Sequence, residues 1–394
     1  MTQKEGQLNE KLSFNIVFIG IFIIFTFLCS NEYLGITEYY YLPIISILFS
    51  IIGFIKKPMK IKVEHWCSFF IIVYIIAGIA INDVRLEKGI ILSYIVFILL
   101  FLLTTLNRIN KREIQFLINS YIISAVIMSM IIIVFRNEFN GWVGTYRYTL
   151  KFNNETYVDP NFMGAFLVTP AIFSLNKIIR KKTKLSFYIN CIIFLLISMA
   201  VFLTGSRAAL ISLIGSIVLI LIYYKNIKVL IISFISISFI SLILLKTLPE
   251  GTIERMFFNS YVDGSNITRL RNWIHGIEAF SYKPFWGYGC IDTDSILISV
   301  FGYSHAIHNT YIAFLAQFGI FGFIPIVVIL IKAILYSLRR GYRLLIPIIF
   351  QLIFTSTMIE ENTSVIFWVV LIIIYTIINY KINNPNQKIE DIIY

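Results

Sequence analysis

The chain has 394 residues, of which 58% are hydrophobic and 14% charged, with a formal net charge of +12. Soluble globular chains carry about 25% charged residues, so this composition excludes a secreted enzyme, a disordered chain and a disulfide scaffold, and marks a polytopic membrane protein. The basic residues sit in short clusters between apolar runs and form no continuous basic face, which excludes a nucleic-acid role.

In chain order, apolar runs of membrane-crossing length fall near 12–29, 39–55, 66–81, 88–106, 114–135, 161–176, 185–203, 207–224, 227–246, 308–335, 344–359 and 363–380. Helices are the expected form, because lipid leaves every backbone polar group to be satisfied internally. The first run continues too far for a signal peptide and lacks a small-residue cleavage site, so it reads as a span. The tenth is long enough to tilt or break. Cys29, Cys67, Cys191 and Cys290 show neither a CxxC pair nor metal spacing and read as free thiols.

With the N-terminus placed in the cytoplasm, 22 of the 33 Lys and Arg fall on the inner side and 15 of the 21 Asp and Glu on the outer side. The alternation follows the positive-inside rule and predicts twelve spans with both termini cytoplasmic, in one membrane domain over 1–394. Two external connections are long, 136–160 and 247–307, and long ordered connections tend to carry function.

Five polar features fall on the external side. Asp159-Pro160-Asn161 opens the sixth span, where Pro and an acidic residue also serve simple helix initiation. Arg207 stands in Thr204-Gly205-Ser206-Arg207-Ala208-Ala209, between two spans with almost no loop. An Arg there either faces a cavity or snorkels from a helix end. Ser265 to Phe280 has apolar residues at 267, 270, 273, 274, 277 and 280, the period of an amphipathic helix lying along the membrane surface, with Ser265 or Asn266 as N-cap. On it, Arg269 and Arg271 project about 200° apart. Arg271 shares a side with His275 and Glu278, whereas Arg269 borders Trp273 and is the better placed to meet an anion. Pro284-Phe285-Trp286-Gly287-Tyr288-Gly289 then ends the helix in a tight turn. His308-Asn309-Thr310-Tyr311 opens the tenth span. His308 can serve as a general base, and His305 rivals it if the helix already includes that position. Glu360 and Glu361, before the last span, are carboxylates for catalysis or for holding an Arg. Together Arg207, Arg269 and His308 describe an external pocket for a phosphate-bearing ligand, since the Arg fork binds phosphate oxygens bidentately and stays charged.

The TGSRAA turn, the RxxxW and PxxGxG loop and the HNTYxxxLxxxGxxG helix start, here ending Leu315, Gly319 and Gly322, resemble the O-antigen ligase/O-antigen polymerase superfamily over about 155–335. The resemblance implies an all-α, GT-C-like membrane glycosyltransferase of about 12 spans, whose large external loop carries an amphipathic helix. It implies action on undecaprenyl-diphosphate-linked glycans at the outer face of a bacterial cytoplasmic membrane, without metal or cofactor. By motif match, His308, Arg207 and Arg269 would be catalytic. The surrounding candidates for binding diphosphate and sugar are Arg271, Asp159, Asn161, Trp273, His305, Asn309, Tyr311, Glu360 and Glu361. Either Glu360, Glu361 or Asp159 remains an alternative base. The expected reaction is polymerisation of O-antigen or capsular repeat units between a lipid-linked donor and a glycan acceptor within the bilayer, with a flippase and a chain-length regulator as further candidate partners. Transfer to lipid A core by a ligase is the alternative. A lipid-linked sugar transporter and an assembly scaffold are the non-enzyme rivals, and a transporter would place its charges near the midplane.

Overall fold

The computed structural model describes residues 11–26, 41–56, 60–81, 87–141, 145–151, 157–180, 183–224, 265–339 and 341–393. The helices are α1 (Phe14–Phe25), α2 (Tyr41–Lys56), α3 (Val63–Ile81), α4 (Lys88–Leu106), α5 (Lys111–Phe135), α6 (Pro160–Ile179), α7 (Lys184–Leu203), α8 (Arg207–Tyr224), α9 (Ser265–Tyr282), α10 (Thr293–Phe301), α11 (Thr310–Leu338), α12 (Ile346–Met358), α13 (Val365–Asn383) and α14 (Ile389–Ile393). Seven of them are long and apolar enough to cross a membrane among the described residues, and α1, α2, α3 and α12 supply shorter apolar helices. The protein is thus an all-α polytopic membrane protein. Every expected span has its helix except the ninth, near 227–246, which lies outside the described residues.

Local chemistry explains the helix ends. Asn110 and Glu113 form a reciprocal capping box at the start of α5. Pro160 opens α6 behind Asp159, whose carboxylate accepts the Asn161 N–H at 2.7 Å. α6 and α13 are buried almost throughout and form the centre of the bundle. Two elements were not foreseen. An antiparallel hairpin, β1 (Asn137–Gly141) with β2 (Thr145–Thr149), carries the chain from α5 towards α6, and α10 interrupts the loop before α11.

Polar side chains pair at each end of the bundle. Lys62 donates to Asn379, Lys332 pairs with Glu64, and Ser13 meets Glu113. All of these come from connections assigned to the inner side. At the other end Glu87 accepts from Asp292 N–H and Ser295, and Thr310 donates to the Ile359 carbonyl.

α11 is broken at Gly319, which has φ 60° and ψ −168°. The turn after α9 fills the gap. Tyr288 N–H donates to Ala316 O at 2.9 Å, Gly289 N–H to Gln317 O at 2.7 Å, and Ile320 N–H to Pro284 O at 2.8 Å. The Tyr74 hydroxyl of α3 reaches the Phe318 and Phe285 carbonyls at 2.8 and 3.0 Å, and its ring stacks on Trp286 at 5.0 Å. The two backbones approach closely because Gly287 and Gly319 face each other. A Cβ at Gly319 would lie 2.4 Å from Phe285 O, and one at Gly287 would lie 2.4 Å from Gln317 O.

Gly319→Ala and Gly287→Ala are each expected to lower stability by about 2 kcal/mol or more, from left-handed strain and steric overlap together. Gly78→Ala, in open space within α3, should be neutral or slightly stabilising. Thermal unfolding of the purified protein in detergent checks this. A Gly319→Ala variant melting with the wild type would contradict the packing described.

Candidate functional site

The short link from α7 to α8 places Arg207. Thr204 closes α7, its hydroxyl donating to Val201 O at 2.7 Å. Ser206 Oγ then accepts the Ala209 N–H at 3.4 Å, an N-cap geometry. Arg207 therefore becomes the first residue of α8 and is half-buried.

α9 crosses above it. Its face towards α11 is small and polar: Asn272, Gly276 and Ala279 are buried, and Asn272 donates to Ala306 O at 2.8 Å. The apolar stripe Ile267, Leu270, Ile274 and Ile277 points away from the protein, each more than half exposed. That is the arrangement of an interfacial helix whose greasy side is left for lipid. Between the stripe and the packed face lie Arg269 and Trp273, both half-buried.

Arg207 and Arg269 line one cleft of about 350 Å³, walled by Leu270, Trp273, Phe354 and Met358. The cleft joins cations to an apolar surface. Arg271 does not line it. It is exposed and lies over the Tyr303 ring at 5.2 Å, as the angular separation on the helix predicts.

His308 adjoins this cleft from the α11 side. It precedes the N-cap Asn309, whose side chain accepts from Tyr311 and Ile312 N–H at 3.0 and 3.1 Å. His308 has φ 55°, a left-handed conformation rare for a residue with a side chain. Its carbonyl accepts the Trp273 indole N–H at 3.3 Å and its own N–H is held by the Glu360 carboxyl. A strained backbone clamped from both sides is a frequent mark of a functional residue. Burial, and then the Arg269 cation, push the His308 imidazole below its ordinary pKa of 6.5, against the opposing pull of Asp159 and Asp294. The ring is therefore neutral at physiological pH.

The other predicted residues take supporting places. His305 lies outside α11, which starts only at Thr310, so the condition for its sharing a helical face with the start of that helix is not met. It is half-buried and edge-on to Tyr303. The Tyr311 hydroxyl reaches Ile353 O at 3.4 Å. Glu361 is fully buried, accepting from Ser356 at 3.0 Å and Thr355 at 3.4 Å, while its N–H donates to Thr310. Glu360 accepts from Thr293 at 2.8 Å. Burial raises both carboxyls to about 8, so near neutrality they are largely protonated.

Sequence reasoning passed over two groups. Asp292-Thr293-Asp294 has Asp-x-Asp spacing and lies with Glu87 and Glu360, and the Asp292 carboxyl is raised by burial and then by the Asp294 and Glu87 carboxylates. Among the described residues no group of three or more metal-type side chains is placed to hold an ion. The second is Arg147 on β2, only 4% exposed, which donates through Nε to Thr204 O and through Nη2 to Asn161 Oδ1, each at 2.8 Å. Its signal in the sequence was a lone cation in the alternating run Thr145-Tyr146-Arg147-Tyr148-Thr149.

Fold and site define a polytopic helical membrane protein with a cleft that two arginines and apolar side chains line together. Residues 192–327 match the family model described as O-antigen ligase. That stretch, about a third of the chain, contains Arg207, Arg269 and His308 and overlaps the region of the motif resemblance. No curated protein matches the chain.

Stability should fall as pH rises from about 4.5 to about 8, the free and folded pKa values of Glu360 and Glu361, because the unfolded chain ionises first. Glu360→Gln and Glu361→Gln should each flatten melting temperature against pH over the upper part of that window. Unchanged slopes in both would show that the carboxyls are ionised in the folded protein.

Proposed function

We propose that the protein is a membrane glycosyltransferase that polymerises undecaprenyl-diphosphate-linked oligosaccharide repeat units into O-antigen or capsular polysaccharide. The family match supports ligase- or polymerase-type chemistry at the coarser level. The observation that carries the site is the convergence of Arg207 and Arg269 on one cleft beside a neutral His308.

In this reading the acceptor hydroxyl attacks the anomeric carbon of the donor. The bond from that carbon to the diphosphate oxygen breaks, and the diphosphate leaves with the electron pair. Positive charge builds on the sugar and negative charge on the leaving group. Arg207 and Arg269 neutralise the leaving diphosphate as fixed cations aimed at developing charge. The His308 imidazole takes the hydroxyl proton, and direct attack inverts the anomeric centre. No step calls on a metal ion. The apolar wall of the cleft suits the first isoprene units of the carrier. The reaction belongs at the outer face of a bacterial cytoplasmic membrane with both termini inside, alongside a flippase and a chain-length regulator.

The description of the matched family favours a second reading, transfer of finished glycan to lipid A core or another acceptor. A transporter is not supported: the cations gather at the end of the bundle, where a carrier would need them at the midplane.

Deleting the gene in its host and restoring it as wild type, Arg207→Ala, Arg269→Ala or His308→Ala separates these readings on a gel of extracted surface polysaccharide. A single lipid-linked repeat in place of a ladder supports polymerisation. Long chains left on the carrier identify a ligase. Normal ladders from well-expressed variants would sink the site. In vitro, each substitution should reduce turnover by about 100-fold or more. The wild-type rate should be flat above pH 6.5 and decline only below it, as the depressed His308 imidazole takes up a proton.

A further inference from the structure

Resting on the reading above, we propose that Arg147 is a positioning residue for the diphosphate-binding Arg207. The β1–β2 hairpin delivers a cation into the interior at one point, the turn that begins α8. Arg147 Nε–H holds the Thr204 carbonyl at the end of α7, and Nη2–H holds Asn161 Oδ1 at the start of α6, each at 2.8 Å. The same Asn161 oxygen accepts from Ser206 Oγ at 3.2 Å, and Ser206 is the residue before Arg207. One guanidinium therefore ties both sides of the turn to α6. The turn is also pressed against α6 sterically, since a Cβ at Gly164 would lie 2.8 Å from Ala209 Cβ and 2.9 Å from Thr204 Oγ1.

A buried charge is a poor way to gain stability alone, because well-packed apolar residues often do as well. What the planar fork adds is direction: two hydrogen bonds at a fixed angle set where the turn sits. The Arg207 side chain leaves the backbone directly after it, so its reach into the cleft follows from the placement of Thr204 and Ser206. Asn161 is accordingly part of this brace.

The test is a double-mutant cycle read by binding of farnesyl diphosphate to the full-length protein in detergent, with melting temperature measured in parallel. Arg147→Lys keeps the charge and loses the fork. It should weaken binding by about tenfold to a hundredfold, as small misplacements of a binding group do, with little change in melting temperature. Arg207→Ala should weaken binding more. Adding Arg147→Lys to Arg207→Ala should cause no further loss, because the brace acts only through Arg207. Full affinity in Arg147→Lys, additive losses in the double variant, or a loss that merely tracks a lowered melting temperature would each overturn the proposal while leaving the cleft reading intact. If the wild type does not bind the diphosphate, or Arg207→Ala binds it as well as the wild type does, the cleft reading itself fails and the brace with it. Should Arg147→Lys not accumulate, Asn161→Ala removes the shared acceptor and takes its place in the cycle with the same expectations.

Discussion

The structure turns on a gap in one helix. Lipid offers no hydrogen bonds to an interrupted backbone, so a break inside a membrane helix must be filled by protein. α11 breaks at Gly319, and the carbonyls of Ala316, Gln317 and Phe318 with the N–H of Ile320 are met by the turn from Pro284 to Gly289 and by Tyr74. That turn is the end of α9. Filling the gap therefore pins the loop helix to the bundle and carries Arg269 and Trp273 over the start of α8. Gln317, beside the break, extends the link: its amide N–H donates to Ile291 O at 2.7 Å and its carbonyl accepts from Asn362 at 2.8 Å. The broken helix, the loop and the acidic turn before α13 are one hydrogen-bonded unit.

Within that unit charge is sorted. The acidic residues around it have hydrogen-bond donors of their own: Glu361 has Ser356 and Thr355, Glu360 has Thr293 and the His308 N–H, and Asp159 has the Asn161 N–H. Burial raises Glu360 and Glu361 to about 8, which removes much of their negative charge near neutrality. Arg207 and Arg269 share their space with apolar walls and a neutral imidazole.

How much of this was legible depended on the range of the interaction. The spans were readable because their signal is composition over about 20 residues, and α4, α6 and α8 start within a residue of the expected positions. The divergence of Arg269 and Arg271 was readable from helical geometry alone. The place of His305 stayed open because it depended on where α11 starts, which is set by the Asn309 cap. The hairpin and Arg147 were unreadable for a different reason. Five-residue strands in a polar connection carry weak period-two signal, and the meaning of Arg147 lies in Thr204 and Asn161, which only the tertiary fold brings to it. The partner of Gly319 was hidden likewise: the sequence marks a permissive residue, and the backbone that needs the permission lies more than thirty residues earlier, at Phe285.

The position of Arg207 explains why this end of the bundle should favour a diphosphate on a lipid over a free sugar phosphate. It is the first residue of α8, so the positive end of the helix dipole lies beside the guanidinium. Both prefer any anion. On the proposed reading, selectivity comes from the apolar residues of the same cleft, Leu270, Phe354 and Met358, which favour a ligand that carries a hydrocarbon chain next to its charge. A soluble anion would leave those residues wet. In the proposed reaction a carrier lipid would meet both the cations and the apolar surface, with its glycan directed towards His308, the proposed base.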